Sequence, residues 1–158
     1  MAGQIDEADI RLIRGGTLKA FHIIVHGFPN ASLDTAKLSV GHIDLQTLVV
    51  PSALQSTPLP VTFDQAADQL ESFPRLHFEP DGSFVWVSDS DSPVAWQLDG
   101  NLYDRGDSVN HVEIKGSCVP DELRRLLDVF SDDDSPLMFE LVSLAVFVGE
   151  GELLKLVT

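Results

Sequence analysis

Leu76-His77-Phe78-Glu79-Pro80-Asp81-Gly82-Ser83-Phe84-Val85-Trp86 opens a stretch that runs to Lys115 and decides the fold. Two Asp-Gly dipeptides, at 81–82 and 99–100, separate short runs of aromatic and β-branched residues. Asp-Gly between apolar runs is the strongest short-range hairpin signal, so the stretch predicts an antiparallel meander over 76–115.

Pro80 lacks the N–H a paired strand needs and belongs in the first turn. Pro-Asp-Gly suits a type I turn followed by glycine in the left-handed region. This three-residue loop sets Phe78 opposite Phe84 and Leu76 opposite Trp86, and turns His77, Val85 and Val87 to the other face. A two-residue loop at Asp81-Gly82 would shift the register by one and scatter the aromatic cluster.

The second dipeptide, Asp99-Gly100, predicts a two-residue turn that pairs Leu98 with Asn101, Gln97 with Leu102 and Trp96 with Tyr103. Trp96 and Tyr103 then form a cross-strand aromatic pair and are the candidate interaction residues. In the last strand Val112 and Ile114 alternate with His111, Glu113 and Lys115, which predicts one apolar and one hydrated face.

Working toward the N-terminus, Pro74 ends a helix predicted from Thr62 to about Ser72. Thr62 and Gln65 are spaced as a capping box, and Phe63, Ala66, Ala67, Leu70 and Phe73 recur at helical spacing. Pro51, Pro58 and Pro60 mark a loop, with an internal linker near 51–61 as the rival reading. Leu38 to Val50 reads as one bent strand bulged at Gly41, or as a strand after a short helix. Phe21-His22-Ile23-Ile24-Val25 reads as a strand, and its Ile23-Ile24-Val25 run is stiff and β-favouring. A hairpin through Gly15-Gly16 would lead into it, and a helix over Asp6–Ile13 competes with that hairpin.

Toward the C-terminus, Pro120-Asp121-Glu122 makes a good first helical turn. Leu123, Leu126, Leu127 and Phe130 form its apolar stripe. Asp132-Asp133-Asp134 reads as a solvated loop. Ser135-Pro136 reads as the cap and first position of a helix to about Phe147, apolar nearly all round, with a strand as the rival. Gly149 and Gly151 break that run before a short segment over Leu153–Val157.

With 158 residues, 44% of them hydrophobic, the chain can bury a core without metal or disulfides. The expected fold is a single α+β domain over 1–158. It has an antiparallel sheet of about six strands, with two or three helices packed on one face. A lone cysteine, Cys118, fits a reducing compartment. The polar, acidic start Met1 to Asp9 lacks the pattern of a secretory leader. A soluble cytoplasmic protein is therefore expected.

The net charge is −15. Residues 1–60 hold five acids and four bases, whereas residues 61–158 hold twenty acids and six bases, so nearly all of the excess lies in the second part. Such a surface repels nucleic acids and anionic membranes. It favours a basic or amphipathic partner, or serves solubility alone. Homo-oligomerisation through an exposed strand edge or the Trp96/Tyr103 face is a further expectation.

The glycine-rich phosphate loops, serine elbow and paired-cysteine or His-Glu-x-x-His metal patterns are missing from the sequence, so no cofactor is expected. Two His-x-Glu pairs, His77/Glu79 and His111/Glu113, each share a strand face. Were the two strands adjacent, the four side chains could surround a divalent cation, although polar alternation on a wet face gives the same pattern. His22 and His26 share a face four residues apart and read as solvated or capped. Cys118 with His111 could make a nucleophile and base, but a lone cysteine is usually a small buried hydrophobe. Asp89-Ser90-Asp91-Ser92 lacks the remainder of a calcium loop, and Arg105-Gly106-Asp107 reads as a tight turn.

The sequence therefore favours a non-enzymatic binding or interaction module for a basic or amphipathic segment, in the manner of a chaperone or adaptor. The alternative is a small metal-dependent or acid-base enzyme using the His/Glu cluster, and the sequence leaves the choice between the two open.

Overall fold

The Pro80-Asp81-Gly82 reversal forms in the register that gathers the aromatics. Leu76, His77 and Phe78 pair with Trp86, Val85 and Phe84, and Gly82 takes the expected positive φ of 97°. This hairpin belongs to a computed structural model that describes residues 18–158. The Gly15-Gly16 turn and the competing helix over Asp6–Ile13 lie outside the described residues.

The strands are β1 (Phe21–Gly27), β2 (Asp34–Val40), β3 (Ile43–Val49), β4 (Leu76–Phe78), β5 (Ser83–Val87), β6 (Gln97–Arg105), β7 (Ser108–Gly116), β8 (Leu137–Leu141) and β9 (Val146–Val148). Three helices accompany them: α1 (Phe63–Glu71), α2 (Pro120–Asp128) and α3 (Glu150–Val157). One 3-10 turn covers Ser52–Leu54. The class is α+β, but the antiparallel sheet has nine strands among the described residues, not about six. Their order is β2-β3-β9-β8-β1-β7-β6-β5-β4.

Two of the corrections account for the additional strands. Residues 38–50 are not one bent strand: the chain reverses at Gly41-His42, with Gly41 at φ 59°, and Val40 pairs with Ile43. Residues 136–147 are not a helix but β8 and β9, joined by a tight turn in which Ala145 takes φ 56°. In β8, Leu137, Met138 and Phe139 are all buried in succession. A strand covered on both faces has no alternation to display, and its apolar run looks like a buried helix.

The third correction concerns Asp99-Gly100. No turn forms there, because β6 runs straight through it and reverses instead at Gly106. Gly100 is needed for a different reason. A Cβ at that position would collide with the ring of buried Phe84 on β5. Trp96 and Tyr103 consequently do not pair. Trp96 is buried edge-on against Trp86, and Tyr103 stands opposite His111.

The helix beginning at Thr62 keeps both halves of its capping box, and Pro120 opens α2. Buried residues from all three helices, including Leu70, Leu126 and Leu153, join one apolar cluster with Ile23, Val25, Phe84, Leu98, Val112, Ile114 and Phe139. Each such leucine contributes roughly 1.5–3 kcal/mol by leaving water. The 51–61 stretch is tied to the sheet by backbone bonds from Gly27 to Thr57 and from Leu59 to Val109, and Leu59 is buried in the same cluster.

Candidate site on the outer face of the sheet

Strand alternation turns the intervening side chains of the four central strands to the opposite face, where polar and aromatic groups are joined by Ile24 and the buried Met138. β1 contributes His22, Ile24 and His26 between the inward Ile23 and Val25. Because β1 lies between β7 and β8, His22 meets Glu113 and His26 meets Glu140. His22 Nε2 is 2.6 Å from Glu113 Oε2, and His26 Nε2 is 3.2 Å from Glu140 Oε1. On β6, the Tyr103 ring stacks on His111 at 4.6 Å between centroids, and its hydroxyl donates to Glu113 at 3.4 Å.

His26 sits at the middle of this constellation. Its ring lies 5.8 Å from His111 on one side and 5.8 Å from Phe147 of β9 on the other. It is only 5% exposed, and Nδ1 has no hydrogen-bond partner among the described residues. Burial lowers its pKa below the usual histidine value, and Glu140 offsets only part of the effect. The pKa of His111 is lowered too, first by burial and then by repulsion from His26, with Glu113 and Glu140 opposing. The Glu113 carboxyl is lowered chiefly by its hydrogen bond to His22.

A bulge builds one edge of the site. The register of β6 against β7 shifts after Tyr103, from His111 to Val109, leaving Asn110 as the additional residue. Its Nδ2 donates to His111 Nδ1 at 2.8 Å, so the neutral imidazole carries its proton on Nε2.

The two sequence-predicted His-x-Glu pairs do not come together. His77 and Glu79 lie 3.5 Å apart, well exposed, at the β4 edge. His111 and Glu113 are on β7, with β5 and β6 between, a separation of roughly 14 Å at the normal strand spacing. Among the described residues, no three His, Cys, Asp or Glu side chains are grouped to hold a metal ion. Of the four, His111 and Glu113 belong to the central cluster, with partners on β1, β6 and β8. Of the two interaction candidates, Tyr103 is 41% exposed on this face and Trp96 is 7% exposed in the core.

The other chemical candidates resolve locally. Cys118 is buried, and burial pushes its thiol up to about 12, with help from Glu122. A thiol held protonated in this way is a poor nucleophile. Asp89 accepts a hydrogen bond from the Asp91 amide within its own loop, and Arg105-Gly106-Asp107 is the β6–β7 turn. Asp64, Asp104 and Asp107 line a hollow of about 480 Å³ beside that turn.

Sequence reasoning missed Glu140 and the pairing of His22 with Glu113. Parity already placed His22, Ile24 and His26 on one face, but their partners lie 91 and 114 residues away, and only the strand order supplies them. No helix among the described residues is long and apolar enough to cross a membrane. No family model, curated protein or solved structure matches the chain.

Proposed function

We propose that this protein is a non-enzymatic binding module that takes a basic or amphipathic partner segment on the outer face of its central strands. The observation that carries the reading is the grouping there of Asp99, Glu113 and Glu140 with half-exposed Tyr103, against Lys115 as the one lysine or arginine of β8, β1, β7 and the facing part of β6 through Tyr103. Counting imidazoles as neutral, three carboxylates and one lysine leave that face at −2, and all four of these charged groups come from residues 61–158, which hold most of the excess acid. Carboxylates beside an aromatic ring suit a lysine- or arginine-bearing segment, because the ring and the apolar stem of the cation pack while the charges pair.

A helical peptide made only of lysine and leucine, labelled for fluorescence anisotropy, tests the reading. It should bind at low salt and weaken as salt screens the contact. Replacing Glu113→Gln and Glu140→Gln together should weaken it about threefold to tenfold, given the usual worth of surface ion pairs. No binding, or binding indifferent to both salt and the substitutions, would count against the proposal.

A further inference from the structure

The histidines add a property that charge alone does not supply. His22, His26 and His111 lie among the carboxylates of the outer face, and two of them are close enough to feel each other's charge. We infer that this cluster is a proton-operated release device, in which protonation of His26 and His111 discharges the outer face and expels a cationic partner. The inference rests on the binding-module reading and adds its regulation.

The charge balance shows why the device would act. With His26 and His111 protonated, the face moves from −2 to 0 and loses its attraction for a cation. The groups facing His26 and His111 are His22 on β1, Glu113 and Lys115 on β7, Tyr103 on β6 and Glu140 on β8; Phe147 is the uncharged neighbour on β9. The carboxylates pull protons on. Burial and mutual repulsion of the rings hold them off, so the neutral state persists below the ordinary histidine range. The face therefore stays acidic at neutral pH and switches only in acid.

Two local features prepare the change. His26 Nδ1 is buried without a partner, so a proton arriving there gains charge but no hydrogen bond among the described residues. Asn110 donates to His111 Nδ1, and on protonation that nitrogen becomes a donor. The asparagine must then turn its oxygen, itself buried and unpartnered, toward the ring. Linkage makes the coupling reciprocal: a bound cation opposes protonation, and protonation expels the cation.

The test uses the same lysine-leucine peptide, whose own charge is constant over the range, with NMR titration of the imidazole carbons run in parallel without peptide. Affinity for the wild-type chain should fall about tenfold or more between about pH 7.5 and about pH 5, while the Glu113 carboxyl stays ionised. His26→Gln with His111→Gln, whatever its affinity at the higher pH, should lose no more than about threefold between the two pH values. His111→Gln alone serves if the double variant fails to fold, and should flatten the profile in part. Equal affinity of the wild-type chain at both pH values, or an equal fall in the variants, would overturn the switch while leaving the binding reading intact. Absence of binding at both pH values would overturn both. His26 and His111 titrating above the ordinary histidine range would overturn the switch alone.

Discussion

At the scale of single residues, Gly100 shows how one side chain's absence sets a register. The Phe84 ring lies against the β6 backbone at Gly100, where a Cβ would stand in its way. Gly100→Ala should force the buried Phe84 ring aside. An overpacking cost of about 1–3 kcal/mol is expected, read as a lower urea midpoint with an unchanged slope. Gly151, with open space around it in α3, is the control: Gly151→Ala should stabilise by about 0.5–1 kcal/mol through helix propensity. Equal effects at the two positions would refute the packing role of Gly100. The same glycine explains a misreading. Asp-Gly signals a hairpin because glycine tolerates positive φ, but close approach of a ring demands glycine equally, and the two reasons look alike in a sequence.

At the scale of elements, legibility followed locality. The Thr62/Gln65 cap, the Pro80-Asp81-Gly82 turn and the stripe of α2 are each fixed by residues within a few positions of one another, and each formed in the expected place. Thr62→Ala should cost about 1 kcal/mol by removing the acceptor for the Gln65 amide, and Thr62→Ser should recover most of it. Thermal melts of the two variants provide the check, and a serine variant as weak as alanine would show that the cap is not the cause. The β8–β9 hairpin was illegible for the opposite reason. Its place inside the sheet is set by pairing with β1, more than a hundred residues earlier in the chain, and a strand with successive buried residues carries no period of its own.

At the scale of the whole molecule, the insertion of β1 between β7 and β8 creates both the core and the candidate site. One strand delivers Ile23 and Val25 to the buried cluster and His22 and His26 to the outer face. The alternation of His111 and Glu113 in β7 was readable from sequence, whereas the partners that give those residues a role are a property of strand order. The acidic balance of residues 61–158 was equally plain, and the fold locates part of it beside an exposed tyrosine. The most direct measurement of the central claim is NMR mapping of the lysine-leucine peptide on the isotopically labelled chain at neutral pH and low salt. Shift changes should concentrate at Tyr103, His111, Glu113 and Glu140, and should spare the solvent side of α2. Changes confined to the helices or to the β2 edge, with the outer face of β1, β6, β7 and β8 undisturbed, would contradict it.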